Sequence, residues 1–278
     1  MKLHAWLIYA AACGLFSPLA LAADSTASDT AGATKPWAVQ VTSYVWAAGL
    51  RGDVSPFRRG PVLQVDKSFS ETLSNLSAAG FVNGWARQQR YVASGDLMYV
   101  NTSSKGGTGE LPAFHLPVIG VEIPAGGEID GKIRTQQFMA TLLGGYRVID
   151  SPKFTLDTLA GARFWHISNK ASVTVRGPST GAISHNYRED FHWLDPVLGV
   201  RTFAHLTEQL SIQAQADIGG FGAGAKLTWS ALATVNYVFS PKLSLSAGYK
   251  VVKVDYDRNG YVYDARLAGP VLGLTYRF

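Results

Sequence analysis

The 278-residue chain contains a single cysteine, Cys13. No disulfide can brace the fold, and once a leading segment that includes Cys13 is removed no thiol remains for chemistry. Beyond its first twenty residues the chain has no apolar run near the eighteen or so that a membrane helix requires. Charge is also scarce, at 16% of residues. The net charge of +5, or +4 without Lys2, is spread without a Lys/Arg run, so nucleic acid is not an expected partner. His, Asp and Glu do not recur at metal-ligand spacing, and no Gly-rich phosphate loop leads from a strand into a helix. No metal and no cofactor is therefore expected. Disulfide scaffolds, helical membrane proteins and nucleotide-binding α/β enzymes drop out on these absences.

What the chain does have is 47% hydrophobic residues and 29 glycines, evenly distributed. That texture suits a membrane β-barrel, whose strands are apolar on every second residue only. The start is built differently. Lys2 and His4 precede the apolar run Ala5–Phe16, and Ala20-Leu21-Ala22 is a small-residue cleavage site, which predicts a signal peptide over 1–22. Cys13 follows three alanines, but a lipoprotein box would carry Leu where Ala10 stands. Residues 23–36 are small and polar and read as a flexible periplasmic leader.

From residue 37 to 278 the pattern alternates and predicts an all-β fold, a closed antiparallel transmembrane barrel. Ten strands are expected, at about 37–53, 77–89, 91–104, 128–149, 153–176, 190–206, 208–224, 226–240, 242–258 and 260–278, with eight or twelve as alternatives. Short connections alternate with long ones at 54–76, 105–127 and 177–189, as when short turns are periplasmic and long loops extracellular. Trp37, Tyr91, Tyr146, Phe154, Phe203, Tyr237 and Phe278 fall beside the short turns, where a headgroup-level aromatic girdle would lie. In the long loop at 54–76, Ser68 and Glu71 form a capping box, and Phe69, Leu73 and Leu76 follow at helical spacing. A short helix is expected there, over the mouth, folded into it or packed on the rim.

The pattern D-x-x-x-G-x-R occurs at Asp157–Arg163 and again at Asp195–Arg201. Period-two alternation puts Asp, Gly and Arg on one strand face, and an Arg in the lipid-facing row costs about 2–4 kcal/mol at mid-membrane. The motif must therefore face the lumen. On consecutive antiparallel strands it predicts two crossed ion pairs, Asp157 with Arg201 and Arg163 with Asp195, with Gly161 and Gly199 leaving room for the Arg side chains. Asp96, Arg147, Asp217 and Lys250 share the same parity. Four acids and four bases then form a balanced charge network, suited either to a filled structural lumen or to a narrow passage.

Two candidate catalytic sites deserve weighing. His166 and Ser168 share an outward face near the upper end of their strand. They resemble the His-x-Ser-Asn stretch of outer-membrane lipid A deacylases, with Asp190 as the available orienting acid. His185, Glu189, Asp190 and His192 bunch in one loop. A barrel protease of the omptin kind would need a second acidic pair facing them.

The segments W-L-D-P-V-L-G-V-R (193–201), G-G-F-G (219–222), G-Y-K (248–250), V-D-Y-D (254–257) and G-P-V-L-G-L-T-Y-R-F (269–278) are similar to a family of uncharacterised proteobacterial outer-membrane barrels. G-D-L-M-Y-V (95–100) and A-G-A-R-F-W (160–165) also fit, and the likeness spans most of residues 37–278. It implies a small porin-like or OmpA-like barrel without a periplasmic domain, in the outer membrane of a Gram-negative bacterium. It implies further that the barrel-assembly machinery reads Phe278 as its signal. Outer-membrane lipids and lipopolysaccharide are the expected surroundings, and a monomer is the expected state. The expected role is structural or small-solute, with a lipid A-modifying hydrolase using His166 and Ser168 as the alternative.

Overall fold

A computed structural model describes residues 37–55, 57–59, 62–111, 114–116, 121–123, 127–177 and 181–278. The expected signal peptide (1–22) and leader (23–36) lie outside the described residues.

The elements in chain order are β1 (Ala38–Trp46), β2 (Gly49–Ser55), β3 (Leu63–Lys67), α1 (Phe69–Ser74), β4 (Leu76–Gln88), β5 (Tyr91–Leu111), β6 (Phe114–Leu116), β7 (Val121–Ile123), β8 (Gly127–Asp150), β9 (Phe154–Gly177), β10 (Gly181–His205), β11 (Leu210–Gly219), β12 (Leu227–Val238), β13 (Leu243–Arg258) and β14 (Tyr261–Arg277). Ten of them, β1, β4, β5 and β8–β14, close an antiparallel barrel, with β1 pairing with both β4 and β14. β2 continues along β14 in the register of β1, and β3 folds back on β2. β6 and β7 form a separate hairpin.

The break between β1 and β2 has a covalent cause. Ala47 N–H donates to Pro270 O at 2.9 Å, but proline has no N–H to return the bond, so the ladder lapses for two pairs, between Trp46↔Val271 and Gly49↔Ala268. Side chains then sort by parity. On β9, Asp157, Leu159, Arg163, Trp165 and Ile167 are buried inside, while Phe154, Ala160, Ala162 and Phe164 face out. Tyr91, Tyr146, Phe154, Tyr237 and Phe278 are exposed at the short-turn end, as an interfacial girdle requires.

Phe203 departs from that girdle. It shares the parity of Arg201 and turns inward, its ring 5.9 Å from the Arg201 guanidinium. Much of the expected loop regions 105–127 and 177–189 is also strand. β5 pairs with β8 up to Leu111↔Gly127, and β10 pairs with β9 from Gly181↔Gly177. Strand structure propagates because a ladder once extended needs a partner for each backbone donor and acceptor.

Gly161 shows how tightly the wall is wound. A Cβ there would stand 2.1 Å from Leu142 O, so glycine permits close backbone approach rather than room for an Arg.

Candidate functional site

Heights in the barrel can be counted in residues from the periplasmic strand ends, since about 9–11 tilted residues cross a bilayer. The lowest interior layer holds Arg147, Asp157 and Arg201. Arg147 grips both oxygens of Asp157, at 2.7 Å from Nε and 3.2 Å from Nη2. Arg201 bonds Gln213 Oε1 at 3.1 Å and lies 5.1 Å from the Trp85 ring centroid, with Arg147 5.6 Å from the same ring.

The next layer lies above it, from Asp96, five residues above Tyr91, to Arg163, nine above Phe154. Arg163 donates to both oxygens of Asp217 at 2.9 Å, to Thr141 at 3.0 Å and to Thr228 at 3.3 Å. Across the lumen, Lys250 Nζ meets Asp96 at 2.6 Å and Tyr44 Oη at 2.7 Å, and Tyr44 donates to Asp96 at 2.8 Å.

The expected crossed pairs need correcting at this point. The register does place Asp157 opposite Arg201 and Arg163 opposite Asp195. The ion pairs nevertheless form elsewhere, Arg147 with Asp157 and Arg163 with Asp217. Long guanidinium arms reach along the sheared sheet to whichever carboxylate has free lone pairs. Asp195 instead accepts from Trp193 Nε1 at 2.9 Å and from Ala225 N–H at 2.7 Å, which pins the turn after β11 inside the lumen. The four acids and four bases thus resolve into three ion pairs, one Asp held by neutral donors and one Arg with no carboxylate.

Above these charges the interior turns apolar. Trp165, Trp193, Phe191, Tyr256 and Tyr263 pack together on the β9–β14 side, with Trp193 and Tyr256 stacked 4.2 Å apart. The opposite side holds a cavity of about 360 Å³, lined among others by Trp46, Leu50, Val65, Leu73, Ala79, Phe81, Met98 and Val100. α1 forms part of its wall through Phe69, Leu73 and Leu76, the last at the start of β4. Both halves of the predicted capping box are present: the Ser68 hydroxyl caps the Glu71 N–H, and the Glu71 carboxylate reaches back to the Ser68 N–H. Those bonds hold the Glu71 carboxyl below its ordinary range.

The cavity adjoins a break in the barrel wall. β1 and β4 pair from Ala38↔Arg87 to Ser43↔Val82, and no ladder joins them above that. Ser43 is five residues above Ala38, and Val82 six above Gln88, so the ladder stops about halfway across the bilayer. The outward-facing Val45, on the next outward rung, is itself part of the cavity lining. The alternation by itself does not mark this gap. The only signal is Phe81 and Ala79 with Tyr44 and Trp46, apolar residues at inward parity where neighbouring inward positions are polar.

His166, Ser168 and Asp190 share the outward face, with Asp190 opposite Ser168 and His192 opposite His166. His166 is twelve residues above Phe154 and Asp190 fifteen from His205, so they stand at or above the outer boundary. No hydrogen bond joins Ser168 Oγ to His166, Ser168 is 2% exposed, and the Asp190 carboxylate is bound by Arg188 at 2.9 Å. A nucleophile needs an accessible oxygen and a base in contact with it. Phe278 anchors the C-terminal end, its N–H donating to Val39 O at 3.0 Å and its ring 76% exposed.

No family model and no curated relative matches the sequence. Solved structures do. The outer membrane protease OmpT from Escherichia coli aligns with a TM-score of 0.51 at 11% identity, over 89% of this chain and 99% of that one. The fold is that of the outer-membrane β-barrels. Ail of Yersinia pestis aligns with a TM-score of 0.31 at 15% identity, over 87% of this chain and 98% of that one. The toluene transporter TbuX of Ralstonia pickettii aligns with a TM-score of 0.34 at 13% identity, over 87% and 89%.

Proposed function

We propose that this barrel serves a small apolar solute or acyl chain, which it holds in the upper cavity while the charge-paired layers beneath keep the lumen shut towards the periplasm. The observation that carries this reading is the cavity itself. Its volume of about 360 Å³ falls in the range of small-ligand pockets, its lining is mostly aliphatic and aromatic, and it borders the gap above Ser43 and Val82. An apolar molecule dissolved in the outer leaflet would reach it without crossing water. The Lys250–Asp96 pair reaches across the lumen from β13 to β5, and the Arg163–Asp217 pair fills the β9–β11 side, where an ion path would have to run.

The same reading puts the chain in a Gram-negative outer membrane as a monomer, assembled through its C-terminal Phe278 and surrounded by lipopolysaccharide. Outward-facing Arg51, Arg266 and Lys253 stand directly opposite one another on three adjacent strands. Lys253 lies ten residues above Leu243 and Arg266 eleven from Arg277, where anionic headgroups of the outer leaflet begin. Asp66 pairs with Arg51 and Asp264 with Lys253, which leaves Arg266 as the cation of this row with no ion pair among the described residues, and a lipopolysaccharide phosphate would be drawn to it.

The test is binding of an apolar fluorophore such as phenylnaphthylamine to the protein in nanodiscs. Saturable binding above that of empty nanodiscs is expected, weakened at least about tenfold by Ala79→Trp, which fills the cavity. Equal binding by the filled variant would refute the proposal.

A further inference from the structure

We infer that the periplasmic end of the lumen is a binding site for a small oxyanion, a phosphate or a carboxylate, centred on Arg201. This site is separate from the apolar cavity and does not depend on it. Arg201 is 5% exposed, and its Nε has no hydrogen-bond partner. Its cross-strand neighbour Asp157 would be the natural counterion, but Arg147 occupies both of its oxygens. Arg201's one side-chain hydrogen bond goes to the neutral Gln213.

The guanidinium lines a cavity of about 170 Å³ at the lower end of the barrel, together with Arg147, Asp157, His205 and Arg277. Arg277, at the last residue of β14, makes no side-chain hydrogen bond or ion pair among the described residues. Asp150, at the rim, is shared between Arg87 and Arg147. Three arginines, 147, 201 and 277, therefore face one acid, Asp157, in the lining of one small cavity. A buried cation without a counterion is costly, and a guanidinium offers a planar fork of donors that matches an oxyanion. Trp85 holds that fork in place from beneath, so little ordering is left to be done on binding. The cavity, of about 170 Å³, has room for inorganic phosphate or a short carboxylate.

Equilibrium dialysis of the full-length protein in nanodiscs against radiolabelled phosphate, with acetate as competitor, tests this at constant ionic strength. One saturable site per barrel is expected, weakened at least about tenfold in Arg201→Gln and a few-fold in Arg277→Gln. Phosphate should also raise the unfolding temperature of the unaltered protein more than chloride does, and not that of Arg201→Gln. Displacement by acetate would mark the site as one for carboxylates, and resistance to acetate as one for phosphates; both support it. If Arg201→Gln does not fold, Arg277→Gln and the phosphate–chloride contrast still decide. No saturable phosphate or acetate binding, protection by chloride equal to that by phosphate, or affinity unchanged in the Arg277→Gln and Arg201→Gln proteins would overturn the assignment.

Discussion

The seam between the first and second barrel strands changes character along its length. Its periplasmic half, Ala38–Ser43 against Arg87–Val82, is a continuous ladder over a polar interior of Gln40, Thr42, Asn83 and Trp85. Its outer half has no ladder, and the inward side chains there are Tyr44, Trp46, Phe81 and Ala79. In hydrocarbon an unpaired backbone group costs several kcal/mol, so a wall can open only where something else covers the edge. Here β3 pairs with β2, and α1 follows it directly into β4. The lesson is that the charged half is sealed by backbone pairing and side-chain ion pairs together, while the apolar half exchanges wall pairing for a cavity.

Substitutions should separate the two halves. The largest effect is expected in the sealed half. Asp217→Asn leaves Arg163 buried without its counterion and should cost about 3–5 kcal/mol, read as a lower temperature at which the folded, fast-migrating gel band is lost. Arg163→Met in the same chain should recover part of that loss. The filling substitution in the open half, Ala79→Trp, should change stability by less than about 1 kcal/mol, since the added ring enters existing space, and yet remove apolar binding. A planar-bilayer recording should show no steady open level for the unaltered protein, because ion pairs and stacked rings fill the path.

The smallest effect concerns α1. The folded Glu71 carboxyl titrates below its unfolded value, so the stability it contributes is present above the usual carboxylate range and is lost as pH falls through the folded value. Acid should loosen α1 before the barrel, and Ser68→Ala should speed amide exchange in residues 69–74 roughly two- to tenfold at neutral pH. Unchanged exchange would mean that the helix is held by packing alone.

The barrel was legible from period two alone, because lipid and lumen impose opposite chemistry on alternate residues. The capping box at Ser68 and Glu71 was legible for a similar reason, as a local rule with local partners. The register that sets Arg163 opposite Asp195 followed from the motif, but the ion-pair partners did not. A long side chain chooses among several carboxylates within reach, and that choice depends on shear and on which oxygens are already taken. Phe203 was misplaced because nearness to a turn does not fix parity. The wall gap was not marked by the alternation, since it depends on where a ladder stops rather than on any residue's own preference.

Oxidative cross-linking of paired cysteines measures that gap directly, in a chain whose only native cysteine, Cys13, is replaced by alanine. Ser43 and Val82 are register partners in the closed half, and Val45 and Gly80 occupy the next outward rung. The Ser43→Cys, Val82→Cys protein should form a disulfide readily, whereas the Val45→Cys, Gly80→Cys protein should resist oxidation and yield only to a long bifunctional maleimide. Equal disulfide yield from the two pairs would mean that the wall is continuous through the outer half and that the cavity has no opening to the membrane.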